Sequence, residues 1–230
     1  MKKQFIHLIF IALMVITVFQ GANAQEPTAT PENTPKKKEV ILESADKIKY
    51  DSKGETFIAT GQVTAIQGKN RIKCQELNFN LKDNKGTFSG SVIITRDKTE
   101  ITATTMEGDF DQELYGFTGD VVLKKERVED SGTSTLIWKA PSLTFNGNTE
   151  EARSESSSDI TWKETTIKAD KAAYFPKDDA KSQLERIELE GQIFITEKER
   201  EIQVGKAVYY LDTETLEAEK IIKAKFIIGD

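Results

Sequence analysis

Apolar and polar positions alternate with a period of two along most of the chain. In Phe88-Gly90-Val92-Ile94 and in Phe117-Gly119-Val121-Leu123 every second residue is apolar or glycine, and the residues between are largely polar. That is the pattern of strands buried on one face. Polar breaks at Asp51-Ser52-Lys53-Gly54, Lys82-Asp83-Asn84-Lys85-Gly86 and Asp111-Gln112-Glu113 stand at hairpin distance and predict antiparallel pairing, with a further turn at Asn146-Gly147. Helical spacing is confined to Ala180, Leu184 and Ile187. The strict alternation of Ile187, Leu189, Gly191, Ile193 and Ile195 assigns that segment to a strand.

A repeat is superimposed on the alternation. Gly61, Gly90 and Gly119 are spaced by 29 residues, and Val63, Val92 and Val121 each follow by two. Six units start at 45, 74, 103, 140, 169 and 204. Most carry a small or short residue first, an apolar one three positions on and an aromatic one five positions on, as in Ala45-Asp46-Lys47-Ile48-Lys49-Tyr50 and Cys74-Gln75-Glu76-Leu77-Asn78-Phe79. Polar insertions of loop character fall near Lys125 to Ser134 and Asp178 to Gln183. The apolar phase shifts between Cys74 and Leu77, which predicts a bulge or sheet corner, and the recurrent glycine fits a bend where backbone approaches backbone. The fourth unit replaces Gly-x-Val by Ser154 to Ser158, and the third has Gly108 at the aromatic position.

Composition excludes several functions. Of 230 residues, 30% are charged, with 32 Lys plus Arg against 38 Asp plus Glu. Removing a leader that carries Lys2 and Lys3 and no acid takes the net charge from -6 to -8, so no nucleic-acid partner is expected. That leader, residues 1–24, has a basic start, an apolar stretch from Phe5 to Phe19 and an Ala22-Asn23-Ala24 ending, and reads as a cleaved secretory signal; an uncleaved membrane anchor is the rival. Residues 25–38 form a Pro/Thr/Lys tether, and residues 39–230 the β domain. The sole histidine is His7 and the sole cysteine Cys74, which removes Ser-His-Asp and Cys-His catalysis, His-ligated zinc and an internal disulfide from the mature chain. No phosphate loop is present. The acidic groups Asp109 with Asp111, Asp178 with Asp179, and Glu197 to Glu201 read as solvated positions. Trp138 and Trp162, residues of a type that stacks sugars, read as partly buried packing, and Cys74 as an inert buried thiol. No catalytic residue, metal site or cofactor is expected.

The segments Ala45-Asp46-x-Ile48-x-Tyr50, Phe57-Ile58-Ala59-Thr60-Gly61-x-Val63, Gln67-Gly68 and Arg71-Ile72 resemble the OstA-like repeat of the LptA group of periplasmic lipopolysaccharide-transport proteins. The likeness is close over residues 45 to 124 and weaker but in phase from 140 to 226. It implies an all-β fold, an open antiparallel β-jelly roll whose apolar groove carries lipid acyl chains. It further implies a periplasmic bridge for lipopolysaccharide or a similar glycolipid, stacked head to tail between an inner-membrane LptC-like partner and an outer-membrane LptD-like one. The alternation nominates Tyr50, Val63, Phe79, Phe88, Val92, Ile94, Phe117, Val121, Leu123, Phe145, Tyr174, Leu189, Ile193, Ile195 and Tyr209 for the groove; taken alone it favours a closed sandwich core, and the resemblance turns the reading toward a groove. A charge at Val92 or Val121 is then expected to abolish lipid retention before it disturbs assembly. Unpaired edges near Val40, Ile41, Ile48, Ile222, Phe226 and Ile228 would contact partners by strand addition. With negative net charge, the phosphorylated headgroup is expected to stay in solvent. The alternatives are a structural or carbohydrate-binding β-repeat protein, such as a right-handed parallel β-helix, and an inner-membrane-anchored LptC-like member of the same group.

Overall fold

The computed structural model describes residues 39–129 and 132–227. The leader, the tether and Ile228 lie outside the described residues. The strands are β1 (Ile41–Ser44), β2 (Lys47–Asp51), β3 (Thr56–Gln67), β4 (Asn70–Asn80), β5 (Lys85–Arg96), β6 (Thr99–Asp109), β7 (Leu114–Glu129) and β8 (Gly132–Asn146), followed by β9 (Ala152–Ser154), β10 (Ser158–Trp162), β11 (Thr165–Ala169) and β12 (Lys171–Phe175), then β13 (Arg186–Glu197), β14 (Arg200–Tyr210) and β15 (Thr215–Phe226). All join one sheet that meanders from β3 to β8 and continues through β10, β11 and β13 to β14 and β15. Every pairing is antiparallel. This overturns the parallel β-helix alternative, because each polar break reverses the chain instead of carrying it into another parallel coil. A single 3-10 turn, Asp179–Lys181, occupies the second insertion.

The repeat marks a line of corners across this sheet. Register shifts fall at Thr60/Val63, Ser89/Val92, Thr118/Val121 and Glu190/Ile193, so the glycine and its successor form a bulge. Both residues of the bulge are left-handed in the first three units: Gly61 and Gln62, Gly90 and Ser91, Gly119 and Asp120. The valine after the bulge pairs with the small residue that opens the next unit: Val63 with Cys74, Val92 with Ala103, Val121 with Ala140. That pairing keeps successive corners in line across the sheet, including the third, where the next unit starts 37 residues on. Glycine is required for a second reason. At Gly119, with φ +81°, a Cβ would stand 2.5 Å from the Thr104 hydroxyl, which donates a 3.1 Å hydrogen bond to the Gly119 carbonyl. Gly119→Val is therefore expected to cost about 2 kcal/mol or more, from left-handed backbone strain plus displacement of Thr104. Urea denaturation checks it, and an unchanged midpoint would contradict the corner geometry.

The serine-rich unit makes the same corner by breaking the strand. β9 and β10 lie end to end along β8, and hydroxyls replace part of the ladder: Ser154 and Ser158 donate to the Ser156 carbonyl at 3.0 and 3.2 Å. At Gly108, a Cβ would meet the Phe110 ring at 2.7 Å, so Phe110 supplies the aromatic body this unit lacks. The first insertion departs from expectation. It is not a loop, because β7 and β8 continue pairing to Glu129 opposite Gly132, with Arg127 opposite Ser134. The added polar residues lengthen a hairpin whose side chains reach the opposite edge of the sheet.

Candidate functional site

The corners fold the long strands so that their two ends approach each other, with the inward-facing apolar side chains enclosed between. Of the nominated groove residues, Val63, Phe79, Phe88, Val92, Ile94, Phe117, Val121, Leu123, Phe145, Tyr174, Leu189, Ile193, Ile195 and Tyr209 all lie in this interior, each 2% exposed or less. They share it with Ile72, Leu77, Ile101, Met106, Phe110, Trp138, Ile160, Trp162 and Ile167. At that burial the side chains fill the space between the walls and water does not reach them. Tyr50 stands apart, at 59% exposure. It pairs with Phe57, but β2 is an outer strand, and none of the described strands pairs with its other edge.

The exposed ends continue the interior. Ile48 pairs with the buried Ala59, and Ile221 pairs with the buried Val204; directly paired residues share a face, so both point inward. Yet Ile48 is 57% and Ile221 66% exposed. The apolar interior thus runs out uncovered at both terminal strands. Among the nominated edge residues, Val40 is half-buried, and Ile41, Ile222 and Phe226 are exposed on or beside those strands.

The long side of the roll is shut by polar side chains. One rim includes the β3–β4, β5–β6, β7–β8, β10–β11 and β13–β14 connections; the other includes the β4–β5, β6–β7, β8–β9, β12–β13 and β14–β15 connections. Near one end, Tyr115 donates to Gln67 Oε1 at 2.6 Å and accepts from Asn70 at 2.8 Å, while Arg96 donates to Asn70 at 3.2 Å. Further along, Arg96 lies 3.6 Å from Glu113 and 3.9 Å from Glu150, and Lys125 lies 3.1 Å from Glu150. Arg127 pairs with Asp212 and, at 3.3 Å, with Glu185. Lys163 pairs with Glu214 across the mouth and with Glu129 on its own rim. Hydrogen bonds donated to these two carboxylates hold the Lys163 ammonium above the usual lysine range, and the bond accepted from Lys163 holds Glu129 below the usual carboxylate range. Burial pushes the Tyr115 and Tyr174 phenols up, with Glu185 adding to the effect at Tyr174.

The alternation could not reveal this seam. Its members are polar residues beside turns, where polar residues are ordinary; only the meeting of opposite strand ends gives them a function. Trp138 and Trp162 are buried completely, at 0% and 1%, so neither is placed to stack a sugar at the surface, and each indole N–H lacks a hydrogen-bond partner. Cys74 is buried at its corner, and burial pushes its thiol up to about 11. The acidic groups have structural roles: Asp109 caps the β6–β7 turn, Asp178 caps the 3-10 turn, and Glu197 accepts from Thr165. Among the described residues, no three His, Cys, Asp or Glu side chains cluster to hold a metal, and no helix is long and apolar enough to cross a membrane.

A meandering antiparallel sheet, creased along one line around an apolar interior, defines a β-jelly roll built from repeats. A family model described as "LptA/(LptD N-terminal domain) LPS transport protein" matches residues 71–215, and the chain belongs to that lipopolysaccharide-transport family. Among solved structures, the chain is similar to LptH of Pseudomonas aeruginosa, described as the LptA homologous periplasmic component of the conserved lipopolysaccharide transport device. The two are 11% identical, with 84% of this chain and 96% of that chain covered and a TM-score of 0.31. No curated protein matches the sequence.

Proposed function

We propose that the mature chain is a periplasmic bridge that carries lipopolysaccharide from the inner to the outer membrane, with the acyl chains in the apolar interior. The supporting observation is the interior itself: one continuous set of inward-facing apolar side chains that ends in exposed Ile48 and Ile221 at the two outer strands. Burial contributes about 0.8 kcal/mol per methylene, so a chain of about a dozen methylenes gains roughly 10 kcal/mol before ordering costs. No catalytic group is needed for this. The filled interior means that lipid enters by displacing side chains and parting the walls. Copies of this fold stack end to end through β1–β2 and β15, joining an LptC-like protein at one membrane to an LptD-like one at the other. The signal peptide is removed before this assembly forms.

Site-specific photocrosslinking tests the reading. A photoreactive residue at Phe88 or Leu189 is expected to capture lipopolysaccharide in growing cells, and one at the exposed Lys49 is not. Equal labelling at all three positions, or labelling at none, contradicts an interior path.

A further inference from the structure

The seam at the mouth has a polarity that simple rim closure does not require. Six ion-pair contacts cross it among the described residues: Arg96 to Glu113 and to Glu150, Lys125 to Glu150, Arg127 to Glu185 and to Asp212, and Lys163 to Glu214. In every one the cation comes from the first rim and the carboxylate from the second. A row of four cations therefore lines one lip, partly buried and neutralised mainly by the opposite lip, with Glu129 the one carboxylate of their own lip that pairs with them, at Arg127 and Lys163. The row is also incompletely satisfied. Arg96 Nε and Arg127 Nη1 are buried without a hydrogen-bond partner, although carboxylate oxygens stand 3.9 and 3.3 Å away. Such donors favour a ligand with more acceptor oxygens than a carboxylate can aim at them.

Resting on the carrier reading above, we propose that Arg96, Lys125, Arg127 and Lys163 form a binding site for the phosphate groups of the glycolipid headgroup. The phosphates replace the carboxylates of the second rim. Substitution does two things at once. It gives the anionic headgroup a local cationic surface on a chain whose net charge is negative, and it removes the attraction that holds the lips together. Freed from its cations, the second rim is repelled by the arriving phosphates, and the mouth parts above the interior where the acyl chains go. The expectation that the headgroup stays wholly in solvent is thereby revised: its sugars stay in water and its phosphates sit on the lip.

The two halves of the seam have opposite expected effects. The test measures binding of two probes to the purified mature protein, hexa-acylated lipid A with its phosphates and the same lipid dephosphorylated. Arg127→Gln and Lys163→Gln are expected to weaken the phosphorylated lipid about tenfold and leave the dephosphorylated one unchanged or tighter. Asp212→Asn and Glu214→Gln are expected to tighten the phosphorylated lipid about fivefold, since they loosen the closure and free the same cations. Thermal melts identify any variant that fails to fold; Lys163→Gln and Glu214→Gln alter the more exposed pair and keep the comparison available. Shifts in the same direction for cation and carboxylate variants overturn the proposal, as does equal weakening of both lipids by a cation variant. If the unaltered protein binds both lipids alike, the phosphate site falls and the carrier reading stands. If it binds neither, both fall.

Discussion

Val92→Asp is expected to destabilise the protein by about 4 kcal/mol or more, a large share of a typical domain's roughly 5–15 kcal/mol. Val92 is 0% exposed and pairs with Ala103 at a corner, so an aspartate there meets neither water nor a cation. Read from alternation, the same substitution charges an open groove, and lipid retention fails before assembly does. The filled interior reverses that order: folding fails first, and lipid retention with it. Urea denaturation followed by tryptophan fluorescence measures the change, because Trp138 and Trp162 are both buried in the same interior. A midpoint close to that of the unaltered protein would mean that solvent reaches Val92, and hence that the walls stand apart at rest. Val92→Ala, which leaves a cavity but no charge, is expected to cost less.

The second large effect separates folding from assembly. Ile48→Asp and Ile221→Asp change inward-facing residues that are already 57% and 66% exposed, so stability is expected to move by no more than about 0.5 kcal/mol. Self-association is expected to be lost, since each charge would be buried against the terminal strand of the next copy. Sedimentation of the two variants at matched concentration measures this. Unchanged association would locate the contacts elsewhere and contradict stacking through the terminal strands.

Much of the fold was legible because β-structure writes its faces with a period of two and the corners write theirs every 29 residues. Gly61, Gly90 and Gly119 were recognisable as bends, and the phase change between Cys74 and Leu77 as a shift in register, because each has a local steric cause. The inward rows were equally readable, since alternation depends only on which face is buried. Alternation is silent on whether a face is covered, and that is why Tyr50 falls outside the interior: its partner on one side is Phe57, and on the other it has none among the described residues. The insertion at Lys125 to Ser134 reads as a loop from sequence because its polarity is also that of a turn. Its strands instead extend so that Arg127 reaches Asp212 and Glu185, 85 and 58 residues further along the chain. Contacts of that kind join opposite ends of strands, and no local pattern announces them. The seam was therefore invisible in the sequence although all its residues were in plain view.

Whether this interior holds glycolipid is decided by native mass spectrometry of the mature protein, purified gently from its own cell envelope. An adduct of lipopolysaccharide size on the folded protein, displaced by added glycolipid, is the expected result. A protein that emerges bare and takes up no added glycolipid would contradict it.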